Sequence, residues 1–145
     1  MSSYMIDTNI LLYRYDIKNP IKQQRVKVVL DKLIESGNGC LSVQVLSEFS
    51  QVAIRKFQLP FSNIQNHLEE CLQVFRIFPV TAGVVLEAVR GVRDYRLAYF
   101  DAQIWASAKL NQVPIILSED FNAGSTLEGV RFVNPFDSSF DLASL

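Results

Sequence analysis

The sequence predicts an α/β domain in three layers, a parallel sheet between helices. Two observations carry that reading. Tyr4-Met5-Ile6 and Ile115-Ile116-Leu117 are uninterrupted apolar runs, the pattern of strands covered on both faces. Segments with helical spacing alternate with such runs along the whole chain, the order of a layered parallel sheet. The chain has 145 residues, enough for one domain with a sizeable core, and its 49% hydrophobic content excludes a disordered chain. No repeat, low-complexity tract or linker divides it. One domain is therefore expected over residues 1–136, with a Ser/Asp-rich tail, 137–145, expected to fray.

In order, the first strand ends near Ile6. A short helix, Asn9 to Asp16, follows, and Thr8 or Asn9 can cap it. Asn19 can cap the next helix, and Pro20 suits its first position. Ile21 to Glu35 carries Val26, Val29, Leu30, Leu33 and Ile34 at helical spacing, and Gly37-Asn38-Gly39 ends it. Cys40-Leu41-Ser42 is a second strand, and Ser42 opens a helix from Val43 to Phe57. Ser62 is placed to cap a helix from Asn63 to Arg76. Ile77-Phe78-Pro79-Val80 reads as a third strand, at a sheet edge because proline lacks a ladder donor. Thr81 caps a helix to about Tyr95, and Phe100 to Asn111 forms another with Trp105 in the core. Ile115 to Leu117 and Val130 to Val133 complete the strands.

Four acids fit this scheme poorly. Asp7 ends the first strand, at the edge where open α/β sheets bind ligands. An acid ahead of a helix is also an ordinary cap. Asp101 has Ile104, Trp105 and Ala108 at i+3, i+4 and i+7, so it lies on the buried stripe of its own helix. A helix N-terminus offsets roughly 0.3–1 kcal/mol, too little for a buried charge. Glu48 flanks Val45 and Val52 at the edge of a buried face, on the helix that follows the second strand. Asp120 stands just past a buried strand, as Asp7 does. A solvated loop would explain the Glu119-Asp120 pair alone, but not four acids at one sheet edge. Two carboxylates about 4 Å apart repel by roughly 1–4 kcal/mol, so such a cluster needs protons or a cation. Oxygen ligands without His or Cys point to Mg²⁺ or Mn²⁺, and such a site suits phosphoryl chemistry.

The remaining composition narrows the classes. With 14 basic and 15 acidic side chains, nothing global advertises nucleic acid, and that claim must rest on local charge. His67 is the only histidine and Cys40 and Cys71 form no CxxC, which excludes the usual zinc sites. The cysteines read as small core residues of a reducing cytosol, and His67 as a surface residue of its helix. No signal peptide and no membrane-spanning run is expected, so a cytoplasmic protein is.

Asp7-Thr8-Asn9, Ser47-Glu48-Phe49, Phe100-Asp101-Ala102-Gln103-Ile104-Trp105-Ala106, and Ser118-Glu119-Asp120-Phe121 through Gly124 follow one another in the chain. Together they resemble the motifs of PIN-domain ribonucleases of the VapC-type toxin kind. Val133-Asn134-Pro135-Phe136 is similar to that family's closing strand, and the resemblance covers nearly the whole length. It implies a PIN-like α/β/α fold with a five-stranded parallel sheet. It implies that Asp7, Glu48, Asp101 and Asp120 are the catalytic, metal-binding acids, with Thr8, Asn9, Ser118 and Glu119 as polar neighbours. It implies an endoribonuclease dependent on Mg²⁺ or Mn²⁺, the toxin of a type II toxin–antitoxin module, with an antitoxin partner and a homodimeric state. Asn122 and Ala123 stand where some relatives carry a further acid.

Arg90, Arg93 and Arg96, spaced by three before Asp101, and Arg14 near the end of the first helix are the candidate RNA contacts. A solvated face with Glu87 and Asp94 as partners accounts for Arg90 and Arg93 equally well. Tyr95 and Tyr99 can stack on bases or simply pack. Two other classes remain. A phosphoacceptor receiver domain also gathers acids at a sheet edge, but Thr8 follows Asp7 and no lysine follows Lys109. A non-catalytic PIN-like module would bind RNA or a protein without cutting.

Overall fold

The computed structural model describes residues 2–121 and 124–145. At its centre is a six-stranded sheet in the order β3-β2-β1-β4-β6-β5. Strands β1 (Tyr4–Ile6), β2 (Gly39–Ser42), β3 (Arg76–Phe78), β4 (Ile115–Leu117) and β6 (Val130–Val133) run parallel. These are the five expected strands. A sixth, β5 (Thr126–Leu127), pairs antiparallel with β6. Its hairpin turns on Glu128-Gly129, at φ 49° and 87°, a backbone that Asn-Gly usually signals, so the turn was hidden in the sequence. β3 lies at one edge, in keeping with Pro79, although the strand stops at Phe78.

The topology creates a binding edge. β1, β2 and β4 are buried at every residue, as strands covered on both faces must be. From β1 the chain moves to β2 and β3 on one side, then returns to β4 on the other. A crevice forms beyond the carboxyl ends of strands where the order reverses in this way. Ile6 aligns with Leu117, and Asp7 N donates to Leu117 O at 3.0 Å, so Asp7 and Ser118 leave the sheet side by side.

The helices are α1 (Thr8–Tyr13), α2 (Pro20–Ser36), α3 (Val43–Arg55), α4 (Phe61–Val74), α5 (Ala82–Tyr95) and α6 (Tyr99–Leu110). Ser42 and Thr81 cap α3 and α5 as expected, accepting from Val45 N and Val84 N. Three caps differ. Asp7, not Thr8 or Asn9, caps α1, which also ends at Tyr13 rather than Asp16. Asn19 precedes α2 without a side-chain capping bond, and its Nδ2 donates back to Asp16 Oδ2 at 2.7 Å. α4 begins at Phe61, with Pro60 in the capping position, so Ser62 lies inside the helix. α5 packs along α6, and Gly91 permits it: a Cβ there would sit 2.8 Å from the Trp105 ring. Trp105 is fully buried.

His67 is buried, not on the surface. It stacks on Phe49 at 4.1 Å between centroids, its Nδ1 lies 2.8 Å from the Tyr15 hydroxyl, and its Nε2 lies 3.4 Å from Cys71 Sγ. Burial pushes its pKa down to about 4, so the ring is neutral. The tail also packs rather than frays. Within it, Phe140 O accepts from Arg25 at 3.5 Å and Ser144 O accepts from the Tyr4 hydroxyl at 2.8 Å.

Candidate active site

β1 delivers Asp7 to the sheet edge with only 5% of its surface exposed. Oδ1 accepts from Thr8 N at 2.7 Å, and Oδ2 accepts from the Ser118 hydroxyl at 2.7 Å. One oxygen caps the helix and the other faces the end of β4. Ser118 Oγ is the node of this corner. It also accepts from Asn9 Nδ2 at 3.3 Å and from Asp120 N at 3.1 Å. Asn9 Nδ2 donates again, to Asp120 Oδ2 at 2.8 Å, and its Oδ1 accepts from Glu119 N at 3.4 Å. The polar neighbours expected from sequence thus tie the start of α1 to the loop after β4.

Glu48 comes from α3 and Asp101 from the first turn of α6. Burial pushes the Asp7 carboxyl up to about 6; the Ser118 and Thr8 hydrogen bonds oppose this, and the charges of Asp101 and Glu48 add to it. Asp101 is also raised, first by burial and then by the charges of Asp120 and Glu48. Asp101 is therefore within electrostatic reach of Asp7, Glu48 and Asp120, and Glu48 of Asp7. Among the described residues, no three of them stand close enough to enclose a cation as they are. The donor chemistry fits a hard cation nonetheless. It is all oxygen, and beside it the Thr8 hydroxyl is buried with no hydrogen-bond partner, leaving an acceptor or donor for a ligand or its water.

Glu119 points away from this cluster. It accepts from the Tyr13 hydroxyl at 2.5 Å and pairs with Lys22, whose ammonium lies 5.0 Å from the Tyr13 ring centroid and 5.1 Å from that of Phe136. Burial raises its pKa, but the hydrogen bonds from Lys22 and Tyr13 outweigh that and hold it below the usual glutamate value. Neither Tyr13 nor Lys22 was picked out from sequence; only the packing of α1 and α2 joins them. Gln44 and Gln103 were also missed, although both are amides buried beside the acids. Only Gln44 carried a local signal, one helical turn before Glu48; Gln103, two after Asp101, lies on a different face of its helix and had none.

The sequence pattern of the PIN domain matches residues 4–125. The chain belongs to the PIN-domain family. Among curated proteins none matches it in sequence. Solved structures do. A toxin–antitoxin complex from Klebsiella pneumoniae is 20% identical, with 93% of this chain and 99% of that chain covered and a TM-score of 0.65. DNA-bound VapBC from Salmonella typhimurium is 14% identical, with 93% and 99% covered and a TM-score of 0.67. VapC20 of Mycobacterium tuberculosis, a sarcin–ricin loop cleaving toxin, is 18% identical, with 87% and 98% covered and a TM-score of 0.63. At these identities the likeness is one of fold.

In this PIN domain the candidate RNA contacts are not alike. Arg90 is engaged by Glu87, Asp94 and Glu128 and lies 5.6 Å from the Trp105 ring centroid. Arg93 pairs only with its neighbour Asp94 among the described residues, and its side chain is 72% exposed. Arg96 closes α5 in the left-handed region at φ 55°. Arg14 reaches Glu70 at 3.4 Å. Among the described residues none of the four pairs with the acid cluster. Asn122 and Ala123, where some relatives carry a further acid, lie outside the described residues.

Proposed function

We propose that this PIN domain is a Mg²⁺- or Mn²⁺-dependent endoribonuclease and the toxin of a type II toxin–antitoxin pair. One observation carries the reading. Asp7, Glu48, Asp101 and Asp120 are carried to the switch-point side of the sheet with no paired cation among the described residues, and burial pushes the Asp7 carboxyl up to about 6, well above an ordinary aspartate. An arrangement so unfavourable for the bare protein becomes favourable around a divalent cation. The four acids would hold it. When bound, it supplies charge to polarise a phosphodiester and to lower the pKa of the attacking water.

The chain's own residues prepare the ligands. The Ser118 hydroxyl and Thr8 N–H fix both oxygens of Asp7. Asn9 holds one oxygen of Asp120 from the opposite side of the crevice. Lys22 and Tyr13 neutralise Glu119 and keep it from competing for the cation. Such prior orientation spares the site the entropy of ordering its ligands during reaction.

The toxin role is supported by likeness of fold to the VapBC complexes, and it brings an antitoxin and a homodimer as expected partners. Two free, buried cysteines suit a reducing cytoplasm. No helix among the described residues is long and apolar enough to cross a membrane. The test is cleavage of defined RNAs by the purified protein. Cutting is expected with Mg²⁺ or Mn²⁺ and not in excess chelator; full cleavage in chelator overturns the metal-dependent reading. RNA binding without cleavage under any cation overturns the enzymatic one.

A further inference from the structure

Glu48, like Asp101, is not held by the β1–β4 corner, which bonds Asp7 and Asp120. A buried chain of side chains reaches Glu48 instead. Gln44, one turn earlier on α3, donates from Nε2 to Glu48 Oε1 at 2.5 Å and to Phe100 O at 2.9 Å. Gln44 Oε1 accepts from Gln103 Nε2 at 2.8 Å, and Gln103 Oε1 accepts from the Tyr99 hydroxyl at 2.9 Å. Gln44 and Gln103 are only 6% and 7% exposed.

The direction of this chain is determined. An amide can in principle be turned end for end. Phe100 O, however, can only accept, so Gln44 must present its NH₂ to that side. Its oxygen then faces Gln103, which must present its own NH₂, and the Gln103 oxygen takes the Tyr99 proton. Glu48 consequently meets a group that can only donate. Reversing either amide would set two acceptors against each other in a buried place, at a cost of about 1–3 kcal/mol for each unsatisfied group. The chain also spans α3 and α6, the helices that carry Glu48 and Asp101.

We infer that Gln44, Gln103 and Tyr99 are positioning residues: a one-way hydrogen-bond relay, polarised by the Phe100 carbonyl, that fixes the Glu48 carboxylate for a divalent cation. The inference rests on the metal-dependent reading above. Outer partners of ligands act in this way, and removing them typically weakens binding by about 10–100-fold. Ordinary satisfaction of two buried amides between helices is the competing account. It predicts a loss of stability that does not pass through Glu48.

Titration of MnCl₂ into the whole folded chain, followed by calorimetry, separates the accounts through a double-mutant cycle. Gln44→Met and Gln103→Met are expected to weaken Mn²⁺ binding by about tenfold, and Tyr99→Phe by less, because water can replace the hydroxyl at its half-buried position. In a Glu48→Ala background the same changes are expected to cost nothing further. An equal loss in both backgrounds overturns the relay. So does an unchanged affinity in Gln103→Met when Glu48→Ala alone weakens binding, and that outcome leaves the metal site standing. An affinity untouched by Glu48→Ala removes Glu48 from the metal site, and the inference with it. Melting curves accompany each variant; if Gln103→Met does not fold, Tyr99→Phe is carried through the same cycle and decides it, a loss that vanishes in Glu48→Ala supporting the relay and no loss overturning it.

Discussion

Two regions of this molecule carry dense charge and treat it in opposite ways. Beside Trp105, Arg90 and Lys109 interleave with Glu87, Glu128 and Asp94. Each carboxylate there has a cation. Hydrogen bonds from Arg90, Tyr95 and Lys109 hold Glu128 down at about 2, and Arg90 and Lys109 lower Glu87 as well. At the switch point of the sheet, Asp7, Glu48, Asp101 and Asp120 pair with no cation among the described residues. Asp7 is pushed up to about 6, and Asp101 is raised. Both regions use ordinary acids on helices and loops. The fold matches the charge in one and leaves it unmatched in the other. Unmatched charge in a crevice is the signature of a site that expects a ligand.

The largest effects should come from removing the unmatched charge. Asp7→Asn and Asp101→Asn are each expected to lower RNA cleavage by on the order of 10²–10³, the scale of losing one electrostatic group in an active site. Asp7→Asn should also stabilise the metal-free protein at neutral pH. The sign follows from the raised carboxyl. Its folded pKa, about 6, lies above the ordinary aspartate value of about 4, so between these pH values the folded state holds the proton more tightly. Stability from this group is full below about pH 4 and is lost as pH rises through 6. Two units correspond to about 3 kcal/mol as an upper bound. Metal-free melting curves from pH 4 to 8 should slope downward for the parent protein and less so for Asp7→Asn. A variant less stable at pH 7 that still cleaves would make Asp7 a structural cap and nothing more.

Next in size is the adjacent pair after β4. Asp120 accepts from Asn9 and faces the cluster, whereas Glu119 is matched by Lys22 and Tyr13. Asp120→Asn is expected to remove nearly all metal-dependent cleavage and Glu119→Gln to leave most of it. The reverse ranking at saturating Mn²⁺, with both variants folded, would place Glu119 in the site and break the comparison at its sharpest point.

Much of this was legible in the chain because the signals were local. Unbroken apolar runs located β1 and β4, and the i+3, i+4, i+7 pattern around Asp101 exposed an acid where a hydrophobe belonged. What was not legible depended on distant partners or on turn detail. His67 was placed on the surface although Ile64 and Cys71 share its stripe; its burial depends on Phe49 and Tyr15 from other helices. Ser62 has good capping chemistry, yet α4 starts a residue before it. The Gln44–Gln103 contact joins two helices whose packing no spacing rule announces. Lys22 and Glu119, 97 residues apart in sequence, meet only in the fold.

The matched region supplies the smaller predictions. Arg90→Ala removes the cation that serves Glu87, Asp94 and Glu128, so it should lower the melting temperature by a few degrees while cleavage is retained. A large loss of cleavage with normal stability would move Arg90 from the structural network to the substrate.

Arg93 is the arginine that the matched region leaves over. It sits one turn from Arg90 on α5, bonds only its neighbour Asp94 among the described residues, and keeps 72% of its side chain exposed. A cation so placed costs the fold little to lose and is free to meet a phosphate. Arg93→Ala should therefore leave the melting temperature unchanged and weaken binding to a single-stranded RNA only modestly. Its distinctive effect is on salt. Each phosphate neutralised on a single strand contributes roughly −0.7 to the slope of log affinity against log salt, so the variant's slope should be shallower by about that amount. Arg90→Ala should leave the slope as it is, because its charge is already spent on three carboxylates. Binding is best measured in the slow-cleaving Asp101→Asn background and in chelator, so that cleavage does not distort the isotherm. If Arg93→Ala and Arg90→Ala give the same slope as the parent, α5 is a solvated face throughout, and the RNA is held by other cations.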